Sequence, residues 1–170
     1  PTIITQKINT QIIYNASSPD EFALVNFAKF MGYEYRGLDE NNNMIVKING
    51  TEHKYKLHHV LEFNSARLKT NTVSNNIRKR MSVIIEDPDG NIKILCKGAD
   101  SIILKRMNTQ SIPLFITLTL ISDDVKNTIK HLEDFANEGL RTLLLAERTI
   151  SQEEYKEWTE KYNVNPVENY

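Results

Sequence analysis

RKRMSVIIEDPDGNIKILCKGADS, residues 78–101, spells out a β-hairpin together with both of its ends. Met81, Val83 and Ile85 alternate along one arm, Asp87-Pro88-Asp89-Gly90 supplies a turn, and Ile92, Ile94 and Cys96 alternate along the other. Alternation with a period of two turns one face of each arm toward a core. Gly98 breaks the second arm, and a short helix follows through Ile102, Ile103 and Met107. The hairpin predicts a sheet whose sequential strands pair antiparallel.

Upstream of it, residues 33–36, 44–48 and 54–63 are strand candidates, joined by the turn sequence DENNN and by Asn49-Gly50, a hairpin signal. Before them stands the clearest helix start of the chain. Ser18 is a good N-cap, Pro19 suits the first helical position and Glu21 completes a capping box. Ala23, Leu24, Phe27, Ala28 and Met31 recur at helical spacing behind it, and Gly32 ends the run. Residues 1–16 alternate loosely through Ile3, Ile8, Ile12 and Ile13 and read as an edge strand or a connecting arm.

Residues 66–77 are polar and without period, which reads as a mobile surface loop, and residues 108–121 read as a second loop with some strand character. Ser122 caps a helix with Val125, Ile129, Leu132, Phe135 and Ala136 on one face, ended by Gly139. Residues 142–146 form a buried strand, and Ser151 with Glu154 opens a last helix through Trp158 and Tyr162. The fold class is α/β of the α+β type: a mainly antiparallel, twisted sheet flanked by helices, with residues 1–170 in a single domain.

Composition narrows the function classes. With 21 Lys+Arg against 22 Asp+Glu the net charge is −1, which argues against nucleic acid as a partner, since phosphate contacts demand a basic excess. A single cysteine, Cys96, excludes an internal disulfide and fits a reducing compartment. The longest apolar run, residues 112–121, is interrupted by Pro113 and falls short of the roughly 18 residues of a membrane span. No secretory leader is evident, and the absence of an initial methionine suggests an excised fragment.

The chemistry-bearing residues surround the hairpin. Phe63 could pack in the core, or it could stack on a base, with Asn64 and Ser65 beside it to bond base edges. Arg78-Lys79-Arg80 is either a solvated strand end or the charge that meets a polyphosphate. Lys97 stands at a strand end before Gly98 and a helix beginning near Ala99, where backbone can approach a ligand; charge alone aims it at phosphates. Glu21 is either the capping-box acceptor or a ligand contact, two compatible roles, and Arg141 could be an ordinary exposed arginine or reach phosphates from another side. The four histidines complete no metal site, and the adjacent His58 and His59 should point to opposite faces of a strand. No phosphate-cradling glycine loop and no nucleophile with a partner base is present, so the pattern is that of a chain holding a nucleotide for chemistry done elsewhere.

Assembled in order, these motifs resemble the nucleotide-binding (N) domain of type IV P-type ATPases, the phospholipid flippases. SPDEFALV at residues 18–25, FNSA at 63–66 with RKRMSVI at 78–84, KGAD at 97–100 and HLEDFANEGLRTLLLA at 131–146 carry the likeness, with EEYKEW at 153–158 following. The likeness covers most of residues 18–162. It implies Glu21 near the adenine amino group, Phe63 stacked on the ring, and Ser65 and Lys79 on base, ribose or phosphate. It places Lys97 deep in the adenine pocket with Gly98 and Ala99, and Arg141 and Thr142 on the phosphate side.

The resemblance further implies ATP as ligand and Mg2+ held mainly by a neighbouring phosphorylation domain, whose aspartate in a DKTG motif this chain does not contain. It implies phosphorylation and actuator domains as partners, phospholipid as the parent's substrate, an accessory membrane subunit, and a cytoplasmic domain of an integral membrane protein. Two departures stand out. Phe22 occupies a position usually small in the family, and residues 67–77 interrupt the FNSA–RKRMS motif. A second insertion lies near 108–121. The rival reading is a degenerate regulatory or interaction module of the same fold.

Overall fold

A computed structural model of the chain describes residues 3–8, 11–62, 79–107 and 123–164. They gather into two compact units: residues 1–60, 83–94 and 148–170 belong to one, residues 61–82 and 95–147 to the other. Six strands are hydrogen-bonded in sequence order as an antiparallel open sheet, β3(Tyr33–Leu38), β4(Asn43–Ile48), β5(Thr51–Leu61), β6(Arg80–Glu86), β7(Ile92–Gly98) and β8(Leu144–Ile150). The mixed, mainly antiparallel sheet expected from the hairpin is thus what forms.

In the first unit, β1(Ile3–Ile8) and β2(Gln11–Ala16) pair antiparallel from Ile3↔Ala16 to Ile8↔Gln11 as a separate two-stranded sheet. Residues 3–8 and 11–16 are therefore neither an edge strand nor an arm; each segment finds its hydrogen-bond partner in the other. Helix α1(Pro19–Phe30) packs on β2 and β3. It starts as expected, with the Glu21 N–H donating to Ser18 Oγ at 3.2 Å and Pro19 in the first turn. It ends at Met31 before Gly32, whose φ of +90° suits glycine.

The buried face of α1 differs from the expected one. Val25 joins Ile12 and Tyr14 in a core with Ile3 and Tyr35 against it, and Lys29 Nζ donates to the Ile12 carbonyl at 2.7 Å. Phe27 is 63% exposed, and Phe30 and Met31 are exposed too. The helix is apolar on nearly every side, so periodicity alone does not select the face that meets β2.

The turns of the sheet follow the sequence. Asn49 (φ +47°) and Gly50 (φ +97°) make the β4–β5 hairpin. The Asp87 carboxylate accepts the N–H groups of Asp89 and Asn91 at the tip of the β6–β7 hairpin. Ile84, Ile92 and Ile150 form the second core of the first unit, with Ile94, Tyr155 and Trp158 packed around it. Ile84, only 2% exposed, lies outside the alternating set Met81, Val83, Ile85 expected to face inward, while Ile85 is buried as well. Adjacent residues of a strand point to opposite faces, so the burial of both Ile84 and Ile85 means that β6 is covered on both faces there and alternation loses its meaning.

Helix α4(Gln152–Val164) opens with the Glu154 N–H donating to Ser151 Oγ at 3.1 Å. In the second unit, β7 leads into α2(Asp100–Ile103) and a 3₁₀ turn, Leu104–Arg106. Helix α3(Asp123–Asn137) ends where Gly139, at φ +76°, donates its N–H to the Ala136 carbonyl. Val125, Ile129 and Leu132 are half-buried along it, but Phe135 and Ala136 are exposed. Strand β8 was expected as a buried strand over residues 142–146; it runs Leu144–Ile150, with Leu144 buried and Leu145 69% exposed. Among the described strands it ends the order, next to β7, and its polar residues 147–149 are exposed. The expected loops at 66–77 and 108–121 and the Ser122 cap lie outside the described residues.

Candidate nucleotide site

Three of the candidate residues, Lys79, Gly98 and Ala99, lie where the start of β6 meets the end of β7. Ala99 donates its N–H to the Lys79 carbonyl at 3.1 Å, closing the ladder between the two strand ends. Gly98 is buried there. A Cβ added to it would stand 2.6 Å from Arg80 Cβ, 2.7 Å from the Lys79 carbonyl oxygen and 2.9 Å from Arg80 Cα. Two of these three atoms are backbone, so glycine is the residue that lets the two strands close. Its φ is not in the left-handed region; proximity alone requires it.

Lys79 carries the unusual backbone: at φ +46° it is a non-glycine residue in left-handed geometry just before β6. The contact with Ala99 holds it there and leaves its side chain exposed. In sequence, residues 67–77 separate Lys79 from FNSA. Across the strand ends it lies against Gly98 and Ala99, so the RKRMS and KGA segments are joined through backbone.

Ala99 caps α2, its carbonyl accepting the N–H groups of Ile102 and Ile103 at 3.0 Å. The sequence pointed to backbone donors offered to a ligand at this helix start. The Ala99 N–H is instead committed to Lys79, and α2 spans only 4 residues. Lys97, half-buried on β7, is then the cation of the KGA segment.

Arg141 and Thr142 sit in the same unit, on the connection from α3 to β8, with Arg141 exposed and Thr142 half-buried. Glu21 belongs to the other unit, in the first turn of α1. Its carboxylate accepts the Ser17 hydroxyl at 2.7 Å while its N–H donates to Ser18 Oγ. Phe63 and Ser65 lie outside the described residues. The structure thus brings Lys79, Gly98 and Ala99 into direct contact and sets Lys97 beside them in sequence.

One buried polar residue near the site was not anticipated. Ser82, on β6, is 6% exposed and donates to Cys96 Sγ on β7 at 3.3 Å. A lone serine in the apolar run Met81–Ile85 was the available signal, and it marks a cross-strand bond rather than a ligand contact. The histidines were also undervalued. His58 and His59 were expected on opposite faces, yet both rings reach the hydroxyl of Tyr155. Among the described residues no group of three or more His, Cys, Asp or Glu could hold a metal ion, and no helix is long and apolar enough to cross a membrane.

Comparison with known proteins agrees with the motif reading. The family described as P-type ATPase, cytoplasmic domain N, matches residues 6–170. The chain is 42% identical over 89% of its length to the phospholipid-transporting ATPase DRS2 of Saccharomyces cerevisiae. It is 38% identical over 96% to the phospholipid-transporting ATPase dnf2 of Schizosaccharomyces pombe, and 37% identical over 94% to the human phospholipid-transporting ATPase ID. It spans only 10% to 12% of the length of these relatives. A domain-wide match, with relatives aligned over nearly the whole chain, places it: the chain belongs to the cytoplasmic domain N family of P-type ATPases.

Proposed function

We propose that this chain is the ATP-binding cytoplasmic domain of a phospholipid-translocating P-type ATPase, and that it positions ATP for transfer of the γ-phosphoryl group to an aspartate in a separate domain. The observation that carries this reading is the junction of Lys79 with Gly98 and Ala99, which unites two motifs the sequence holds apart. The names of the relatives supply the lipid, and the family match supplies the domain.

In this reading Phe63 stacks on adenine, Glu21 and Ser65 bond its edges, and Lys97 with Gly98 and Ala99 forms the floor of the pocket. Lys79, Arg141 and Thr142 meet ribose and phosphates. Mg2+ is held mainly by the neighbouring phosphorylation domain of the parent. That domain, an actuator domain and an accessory membrane subunit complete the assembly, with the whole of residues 1–170 acting as one nucleotide-binding domain and 67–77 and 108–121 as insertions.

One stacked ring and a few hydrogen bonds support a dissociation constant of about 0.1–1 mM, or roughly −4 to −5.5 kcal/mol. Amide NMR spectra of the chain recorded against ATP, ADP and GTP test this. Saturable, adenine-preferring shifts at Lys97 and Arg141, lost in Phe63→Ala, are the expected outcome. No shifts up to several millimolar would replace this reading with the interaction-module one, which the break between FNSA and RKRMS favours. Phosphoenzyme formed by this chain alone would refute the assignment of the aspartate to another domain.

A further inference from the structure

Away from the candidate site, two histidine side chains of the first unit meet at one tyrosine hydroxyl. On β5, His58 Nε2 lies 3.0 Å from Glu86 Oε2 of β6, and His58 Nδ1 lies 3.3 Å from the Tyr155 hydroxyl of α4. The neighbouring His59 places its Nε2 3.2 Å from the same hydroxyl. Trp158 and Tyr162, both on α4, close over His59 edge-on at centroid distances of 5.1 and 5.6 Å. Lys56 Nζ, 3.7 Å from Glu86 Oε2, shares the carboxylate. The titratable groups facing the pair are therefore Glu86, Lys56, Tyr155 and Tyr162.

Donor counting assigns the protons. The ionised Glu86 only accepts, so His58 Nε2 carries a hydrogen; with the ring neutral, His58 Nδ1 accepts from the Tyr155 O–H. The Tyr155 oxygen then accepts from His59 Nε2–H. One added proton is accommodated by reversing the chain. It enters on His59 Nδ1, the His59 Nε2 proton passes to the tyrosine oxygen, and the tyrosine proton passes to His58 Nδ1. The result is an imidazolium at His58 beside Glu86 and a neutral His59 whose Nε2 now accepts from Tyr155. The three contacts among Glu86, His58, Tyr155 and His59 are all kept, each with one donor and one acceptor.

A second added proton has no such solution. Both rings then present an N–H to the Tyr155 oxygen, the phenolic hydrogen loses its ring acceptor, and two adjacent cations share one carboxylate that Lys56 already pairs. We propose that His58, His59, Tyr155 and Glu86 form a proton-counting latch, which keeps α4 docked on β5 while the histidine pair holds at most one extra proton and releases it at the second. Burial, and secondarily the His58 charge, hold His59 below its ordinary value of 6.5, in keeping with a reluctant second step. The latch is independent of the nucleotide reading, since it uses none of the site residues.

Long-range 1H–15N spectra of the histidine rings, followed from pH 7.5 to 4.5, test it directly. The expected first step makes His58 cationic and moves the His59 hydrogen from Nε2 to Nδ1. The expected second step coincides with a fluorescence change of Trp158, the single tryptophan of the chain. In Tyr155→Phe the tautomer switch disappears. In His58→Gln only one ring can take a proton, His59 Nε2–H keeps its contact with the Tyr155 oxygen, and the fluorescence transition is lost. A His59 ring that stays Nε2–H until it becomes cationic, or a Trp158 signal unmoved by the second step, would overturn the latch. The first of these readouts needs no variant.

Discussion

Gly98→Ala is the sharpest test of how the candidate site is assembled. The new methyl would sit 2.6–2.9 Å from Arg80 Cβ, Arg80 Cα and the Lys79 carbonyl oxygen, where ordinary contact needs about 3.5–4 Å. The strand ends must part by roughly 1 Å, which is overpacking at about 1–3 kcal/mol. Parting them also stretches the Ala99 N–H to Lys79 bond of 3.1 Å, a contribution of about 0.5–1.5 kcal/mol. Alanine restricts the unfolded chain and returns about 0.4–1 kcal/mol. The net loss should be about 2–3 kcal/mol, which at a urea slope of about 2 kcal/mol/M lowers the unfolding midpoint by about 1 M or more.

Gly90→Ala is the control. Gly90 has a φ of +83° and nothing within 4 Å of an added Cβ, so it should cost only the left-handed strain of about 1–2 kcal/mol. Urea unfolding followed by circular dichroism, with amide exchange at Ala99 as the local probe, separates the two. Gly98→Ala should speed exchange at Ala99, and Gly90→Ala should not. An unmoved midpoint together with unchanged protection at Ala99 would refute the close-approach argument.

Two further outcomes follow from the packing and the turns. On β8, Leu144→Ala should cost about 2–4 kcal/mol, because Leu144 is 8% exposed, whereas Leu145→Ala should stay within about 0.5 kcal/mol; equal losses in chemical denaturation would refute the difference in burial, and a larger loss at Leu145 would show the strand in the opposite register. At the β6–β7 turn, the Asn91 backbone N–H foremost, and then the Asn91 side chain, Lys93 and the Asp89 N–H, hold the Asp87 carboxyl below its ordinary 3.8. A depressed carboxyl contributes stability above the unfolded value that is lost as pH falls from about 3.8 through the folded value. Asp87→Asn should therefore flatten the acid limb of a stability–pH curve, and an unchanged slope below pH 4 would refute the assignment.

The local elements were legible because their causes are local. Ser18-Pro19, Asn49-Gly50, Asp87-Pro88-Asp89-Gly90 and Gly139 act through backbone dihedrals and short-range hydrogen bonds, and each does in the structure what its residue type demands. Faces were less legible. The helix α1 carries apolar residues all round, and β6 is apolar on both sides, so neither pattern names the side that is buried. Strand β8 read as buried because TLLLA is apolar, and its position at the end of the strand order cannot be seen from the run itself.

By itself the sequence determined the element types, the antiparallel character of the sheet and the family, since turn chemistry and motif residues are properties of short segments. Tertiary structure alone decided that residues 3–8 pair with residues 11–16, that Val25 faces inward, and that Lys79 lies against Gly98 and Ala99. It also decided that two adjacent histidines share one tyrosine nearly a hundred residues away. The physical reason is the same in each case. Which groups share a contact depends on where strands from distant parts of the chain are hydrogen-bonded, and no local propensity encodes that distance.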